Sequence, residues 1–174
     1  MKWLVAISFF LIGVACASHD VHPIVSGNSV GDIVIGRAPP KIDSRRLVLR
    51  QWQQDENGDS YELIRLKVRD AAVDAEVYDG KVWRISIDQP ELLTEDHVGV
   101  GSKAMRLLKA NTTIQPRIGP GPMIVLVPVT PCGISYLTDA ELPDLATQEL
   151  SRDSVAPLLS DAGVTSILVV GCSK

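Results

Sequence analysis

Histidine and carboxylate side chains meet in one short stretch of this chain, Thr94-Glu95-Asp96-His97. An imidazole beside carboxylates is the combination that general acid and base catalysis uses. Glu91, Glu95 and Asp96 also supply carboxylate pairs of the kind found in glycosidases, but their clustering in one polar loop is typical of a solvated acidic turn. The sequence therefore favours His97 as a loop residue, and a hydrolase with a site around His97 is kept as an alternative.

An acidic turn in the first half of the chain has part of a calcium-binding pattern. Asp55, Asn57 and Asp59 have the spacing of the first ligands of a calcium loop. Position six of that loop is Ser60 rather than glycine, and position twelve is Leu66 rather than glutamate. Because Asn-Gly within the turn is a strong hairpin signal, a solvated turn is favoured over a metal site.

The three cysteines have different expected fates. Cys16 lies in an N-terminal export segment, where it is either removed or acylated. Cys132 and Cys172 remain, and an even pair in an exported protein predicts a disulfide worth roughly 4 kcal/mol in the chain-entropy model. Zinc needs three or four ligands, and His19 and His22 lie far away in a polar segment. We therefore predict neither a metal nor a cofactor.

The N-terminus, MKWLVAISFFLIGVACA at residues 1–17, has one lysine, a short apolar run and then small residues, as in a signal peptide. The run is too short to span a bilayer, which takes about 20 apolar residues. Ala15-Cys16-Ala17 fits an ordinary signal peptidase, with the mature chain starting at Ser18. Gly13-Val14-Ala15-Cys16 resembles a bacterial lipobox with glycine in place of the usual leucine, which would make Cys16 an acylated first residue. We rank the lipoprotein slightly ahead.

The rest of the chain has the composition of one globular domain. Residues 18–29 are polar and aperiodic, which predicts a flexible tether and places the folded domain at residues 30–174. The chain is 45% hydrophobic and 22% charged, close to the average for globular proteins. A net charge of −4 provides no basic surface for nucleic acid. Membrane contact is expected only through a lipid anchor at Cys16.

Two alternating β-runs joined at Asp79-Gly80 form the element around which the predicted sheet is built. A strict two-residue loop would mix apolar and polar side chains on each face. A three-residue loop with left-handed Gly80 instead pairs Ala75 with Trp83 and sets Asp74 opposite Arg84. Because this register keeps one face apolar, the pattern predicts the longer loop.

Alternating or continuous apolar runs predict further strands, and capping residues before apolar stripes predict short helices. The predicted strands are 30–36, 44–53, 63–68, 71–78, 82–88, 123–129, 132–137 and 164–172. The predicted helices start after the capping residues Ser102, Thr138 or Asp139, and Ser154. The expected fold class is α+β: a twisted antiparallel sheet of about seven to eight strands packed on a few short helices.

The two halves of the folded domain match each other at a period of about 70–80 residues. Leu63–Val68 matches Met123–Val129, and Gly80–Ile87 matches Gly163–Val170. Each copy has a glycine-led start, a helix or its remnant and an antiparallel meander. Pro39-Pro40 removes the helix from the first copy. These matches predict two tandem repeats.

Several of these positions belong to a wider pattern. They are Gly99, Gly101, Ser102, Asp79, Gly80, Lys81, Val82 and Ile85. With them the chain resembles small exported bacterial domains whose unit runs Gly-x-x-x-Gly-[Ser/Thr], short helix, strands and Asp-Gly-Lys-Val-x-x-Ile. That group includes small α+β outer-membrane assembly lipoproteins and tandem-repeat β-lactamase inhibitor proteins. The resemblance spans residues 30–172 and implies a periplasmic or secreted binding module rather than an enzyme.

The expected function is that of a non-enzymatic, exported cell-envelope protein that acts by protein-protein contact, as a binding or inhibitory module. A structural subunit of an outer-membrane assembly is the other non-enzymatic alternative. The expected partner is a protein of the periplasm or outer membrane. The expected location is the periplasmic side of the outer membrane, or else the periplasm or medium as a soluble protein. Residues 89–98 and 114–122 are the candidate contact loops, because loops held on a sheet carry most such contacts.

Overall fold

The computed structural model describes residues 24–130, 132–143 and 150–172. The predicted signal peptide with Cys16, and both N-terminal histidines, His19 and His22, lie outside these ranges. Within them, no helix is long and apolar enough to cross a bilayer.

An open eight-stranded antiparallel sheet forms the main body, in the order β4-β5-β6-β7-β11-β10-β9-β8. Its strands are β4 (Leu47–Gln54), β5 (Ser60–Val68), β6 (Ala71–Tyr78), β7 (Lys81–Ile87), β8 (Ile114–Ile118), β9 (Met123–Pro128), β10 (Ile134–Glu141) and β11 (Val164–Val169). The two helices are α1 (Ala104–Ala110) and α2 (Arg152–Val155). They have only 7 and 4 residues, so the fold is mainly β rather than a balanced α+β fold.

A small three-stranded sheet precedes the main one. Its strands are β1 (Val25–Ser26), β2 (Ser29–Val30) and β3 (Ile33–Val34). Val25, Val30 and Ile33 are fully buried. Residues 24–29, predicted as tether, therefore belong to the folded domain. The predicted continuous strand at 30–36 is also wrong, because left-handed Gly31 turns the chain between β2 and β3.

One apolar core joins these layers. Alternate residues of the central strands, such as Ile64, Ile85 and Ile167, are fully buried in a cluster with Leu107 of α1 and Leu159 beyond α2. Burial of alternate residues is the pattern of a sheet that is packed on one face. Side chains of the opposite face stay partly exposed, and this face is called the open face below.

The predicted helix after Thr138 or Asp139 is a strand where the structure describes it. Thr138 lies in β10, its side chain is buried, and its hydroxyl donates to the carbonyl oxygen of Ile124 at 2.8 Å. A threonine that looked like a helix cap is thus a buried strand residue bonded to the neighbouring strand. Residues 144–149 of that predicted helix lie outside the described ranges.

The other two caps are displaced. Ser102 does not cap α1, because Lys103 occupies the N-cap position and the Ser102 hydroxyl oxygen accepts from the Gly99 N–H at 3.0 Å. Ser151, rather than Ser154, caps α2. The two serines form a reciprocal capping box, so the helix starts at Arg152.

The β6–β7 hairpin has a different register from the one predicted. Its turn has only two residues, Asp79-Gly80, both left-handed with φ of 48° and 72°. A bulge at Trp83 follows, and Ala75 pairs with Ile85 instead of Trp83. The bulge restores the alternation that a strict two-residue loop would have broken. The apolar face is therefore kept by an extra residue within the strand rather than within the loop.

The two halves of the main sheet have corresponding geometry. β7 and β11 lie side by side in the middle, and β4 and β8 form the two edges. These two middle strands each carry one bulge, at Trp83 in β7 and at Thr165 in β11. Aligning the bulges places Ile85 on Ile167, both fully buried. The predicted match of Gly80 with Gly163 is one residue out of step, and such a slip would exchange the two faces of the sheet.

Candidate functional site

A cleft of about 450 Å³ lies beside the β4–β5 and β6–β7 turns. Its lining residues are Gln54, Asp55, Glu56, Asn57, Asp59, Tyr61, Glu76, Tyr78, Trp83 and Arg84. Acidic, aromatic and guanidinium side chains are thus gathered in one place by two hairpin turns. This cleft is the candidate functional site.

The acidic turn on one side of the cleft is held by its own side chain. Asp55 Oδ1 accepts hydrogen bonds from the backbone N–H groups of Asn57 and Asp59, both at 2.9 Å. Gly58 is left-handed, with φ of 87°. Asp55 therefore works as a turn former, as expected of a solvated hairpin turn. In the described part of the chain, no cluster of three or more His, Cys, Asp or Glu residues has the geometry of a metal site.

The bulge in β7 determines which residues meet in the cleft. Arg84 lies opposite Glu76, not opposite Asp74 as the predicted register had it. Arg84 donates from Nε and Nη2 to Glu76 Oε1, at 2.9 Å and 2.6 Å. Its guanidinium also lies 4.7 Å from the centre of the Trp83 ring. Asp74 pairs with Arg65 instead, through two hydrogen bonds of 2.6 Å.

Glu76 is the buried charged group of the cleft. Only 6% of the residue is exposed. Both hydrogen bonds from Arg84 go to Oε1, and Oε2 has no hydrogen-bond partner among residues 24–130, 132–143 and 150–172. A buried carboxylate oxygen without a donor is costly, because it has lost its hydration without gaining a hydrogen bond.

The structure places His97 on the surface. Its side chain is exposed, its backbone is left-handed with φ of 55°, and its N–H donates to the Thr94 carbonyl at 2.9 Å. Glu91 and Glu95 are exposed on the same segment. Thr94 accepts a 3.1 Å hydrogen bond from the buried Tyr136 hydroxyl, and burial raises the pKa of Tyr136 to about 12. Thr94 thus connects this loop to the core.

A motif that sequence reasoning missed lies in the small sheet. Residues 27–31 read Gly-Asn-Ser-Val-Gly, which has the letters of the Gly-x-Ser-x-Gly nucleophile motif. That motif requires a sharp turn from a strand into a helix, with the serine exposed at its tip. Ser29 instead lies in the two-residue strand β2, and its hydroxyl bonds to that of Ser26 at 2.8 Å. This Gly-x-Ser-x-Gly sequence therefore does not form the strand-turn-helix geometry of a nucleophile motif.

The predicted disulfide between Cys132 and Cys172 is present, with a Cα–Cα distance of 5.4 Å. It joins the chain just before β10 to the chain just after β11. A side chain on Gly27 would clash with the Cys132 carbonyl oxygen, at 1.9 Å from the position of its Cβ. The disulfide therefore lies against the small sheet as well.

The predicted contact loop at residues 114–122 is mostly an edge strand, because Ile114–Ile118 forms β8 and pairs with β9. Residues 89–98 do form an irregular connection, with one bridge between Thr94 and Val25.

The structure defines a mainly β protein with an open antiparallel sheet, covered on one face. No known protein family matches this chain, and no curated protein does. A solved structure with the same fold is that of the uncharacterized protein yfeY from Escherichia coli, with a TM-score of 0.58 and 17% sequence identity. The match covers 84% of this chain and 98% of that chain. At this identity the likeness shows the fold alone.

Proposed function

We propose that this chain is an exported, non-enzymatic cell-envelope protein that acts by protein-protein contact through the open face of its sheet and the adjoining β4 edge. The observation that carries the proposal is β4 itself. Seven of its eight residues are exposed. Trp52 is 73% exposed and Val48 50% exposed.

An exposed edge strand presents unpaired backbone N–H and C=O groups that another strand can pair with. The opposite edge, β8, contains Pro116, which lacks an N–H donor and blocks such pairing. β4 contains no proline, and Arg50 is its one charged residue. The two edges thus differ in the feature that decides whether a strand is available to a partner.

The open face adjoining β4 has a surface suited to contact with a protein. On β10 and β11, Leu137 and Leu168 are partly exposed, while the first half of the face carries the Arg65–Asp74 ion pair. Apolar side chains bordered by ion pairs are the usual composition of a non-obligate interface.

Export is part of the proposal. The Cys132–Cys172 disulfide supports an oxidising compartment. The lipobox-like sequence supports acylation at Cys16 and attachment to the periplasmic side of the outer membrane, with a soluble periplasmic or secreted form as the alternative. The corresponding bulges at Trp83 and Thr165 support two tandem repeats, in keeping with the resemblance to tandem-repeat inhibitor proteins.

The test is co-purification of the full chain from detergent-solubilised bacterial envelopes. We expect a stoichiometric protein partner, and loss of that partner with Leu168→Glu on the open face or Trp52→Glu on β4. Lys109→Glu, on the exposed side of α1, is the matched control and should retain it. Retention by both test variants, with unchanged circular dichroism, would place the contact elsewhere.

The identity of the partner separates the alternatives. An enzyme indicates inhibition, and subunits of a membrane complex indicate a structural role in an assembly. A measured turnover that His97→Ala abolishes would instead establish the hydrolase and end the contact proposal. Intact mass of the exported protein, with and without reductant, reports acylation at Cys16 and the state of the other two cysteines together.

A further inference from the structure

We propose that the cleft between the β4–β5 and β6–β7 turns binds an organic cation, a primary ammonium or guanidinium group on an aliphatic stem. The site goes beyond the protein contacts proposed above and does not depend on them. The charge, the aromatic walls and an unsatisfied buried acceptor each support it.

The charges that line the cleft are predominantly negative. Asp55, Glu56, Asp59 and Glu76 provide four carboxylates, against the single guanidinium of Arg84. Clefts lined by one sign of charge focus the field and attract the opposite sign. The cleft therefore attracts cations and repels anions.

The walls of the cleft suit a cation that carries an apolar stem. Tyr61, Tyr78 and Trp83 line it, and Tyr78 and Trp83 are 50% and 44% exposed. Aromatic faces attract ammonium and guanidinium groups and contact their methylene groups. Arg84 lies 4.7 Å from the Trp83 ring centre, so this ring already contacts the guanidinium group of a neighbouring residue.

Glu76 supplies the acceptor that a ligand would satisfy. Its side chain is 8% exposed, and Oε2 has no hydrogen-bond partner among the described residues. Arg84 neutralises the carboxylate from one side through Oε1 alone. A second donor with a positive charge makes the strong, charge-assisted hydrogen bond that the Oε2 atom lacks.

The second half of the sheet also contains a cleft, and comparing its lining residues with those of the first shows which residues only the first has. It has a volume of about 410 Å³. Aligned by the bulges, Tyr61 corresponds to Met123 and Trp83 to Thr165, and both counterparts line the second cleft. Glu76 corresponds to Leu137, which does not line it. The fold thus makes a cleft in both halves, but the aromatic walls and the buried glutamate belong to the first. The aromatic side chains of Tyr61 and Trp83 are therefore not required for a cleft to form, which fits a role in binding a ligand.

Calorimetric titration of the full-length protein tests the site with three probes. The cations are cadaverine, a free diamine, and Nα-acetyl-lysine methylamide, a lysine side chain in peptide form. Nα-acetyl-norleucine methylamide has a similar stem without the charge. We expect saturable binding of the cations that weakens with added salt, because exposed charges are screened. Tighter binding of cadaverine indicates a free amine as ligand, and tighter binding of the lysine derivative indicates a side chain of a partner protein.

Variants locate the binding. Glu76→Gln should weaken it by about ten-fold or more, because a hydrogen bond to a charged group is lost. Asp59→Asn, on the exposed turn, should weaken it by a smaller factor and cannot disturb the core. Glu62→Gln is the matched control, since Glu62 is also a glutamate paired with an arginine on this sheet but does not line the cleft.

Three results would overturn the proposal. They are equal binding of the norleucine derivative, an equal loss with Glu62→Gln, and no saturable heat with either cation. If the full-length protein binds neither cation but still captures its envelope partner, this site is disproved and the proposed contact function is unaffected.

Discussion

Tyr136 shows how one buried polar group connects the fold to pH. It is fully buried in β10, and its hydroxyl donates to Thr94 Oγ1 at 3.1 Å. Burial, opposed in part by this hydrogen bond, raises the pKa of Tyr136 from 10.0 to about 12, and the acidic side chains of Asp96 and Glu95 also raise it. The folded state therefore resists forming a tyrosinate at this position.

Tyr136→Phe should remove an alkaline loss of stability. Because the folded pKa is the higher one, the stabilisation is complete below pH 10 and is lost as the pH rises towards 12. Between pH 9 and pH 11, urea unfolding of the natural protein should lose about 1 kcal/mol more than that of Tyr136→Phe. At pH 7 the variant should be less stable by about 1 kcal/mol, for one buried hydrogen bond. Parallel pH profiles of the two proteins would contradict the raised pKa.

At the scale of elements, the two edges of the sheet predict different association. β4 carries exposed Trp52 and Val48, whereas β8 has Pro116. Val48→Lys should therefore reduce concentration-dependent association in light scattering. It should change the free energy of unfolding by no more than about 0.5 kcal/mol, because the site is exposed. The matched control is Gln115→Lys, at an exposed position of β8, which should not alter association. Protein that stays monomeric at every concentration would contradict the prediction.

The disulfide is the second element with a measurable contribution. Cys132 and Cys172 are 40 residues apart, and their bond closes the connection between β10 and β11. Replacing both by alanine should lower the free energy of unfolding by about 2–4 kcal/mol. Dithiothreitol should shift the urea midpoint of the natural protein by a comparable amount and leave the double variant unchanged. Insensitivity of the natural protein to the reductant would mean that the bond contributes little.

Alternation and turn chemistry predicted most strands of the sheet, because both are local properties of the chain. They failed where a tertiary contact decides between alternatives. The bulge at Trp83 moved Arg84 from Asp74 to Glu76, and Thr138 became a strand residue bonded to β9. The cleft was not predicted for the same reason, since Glu76 reaches it only through that register. The disulfide between Cys132 and Cys172 could be predicted without knowing the strand register, because it followed from the number of cysteines left in an exported protein.

For the whole molecule, the strand order predicts that the two halves unfold together. β7 and β11 pair in the middle of the sheet, and one apolar core contains Ile85 from the first half and Ile167 from the second. These residues hold corresponding positions when the bulges are aligned. If one half of the sheet unfolded alone, the other half would expose the backbone groups of β7 or β11 that are now paired. The apolar residues that the two halves share in the core would also be exposed.

Ile85→Ala and Ile167→Ala should therefore have the same kind of effect. Each should lower the free energy of unfolding by about 2–5 kcal/mol, the usual cost of such a cavity, within a single transition. Far-ultraviolet circular dichroism and tryptophan fluorescence should give the same urea midpoint for both variants, although Trp52 and Trp83, the two tryptophans of the described residues, both lie in the first half. If Ile167→Ala shifted the dichroism but not the fluorescence, the halves would be separate folding units. The pairing of β7 with β11 would then be a contact between domains rather than the centre of one sheet.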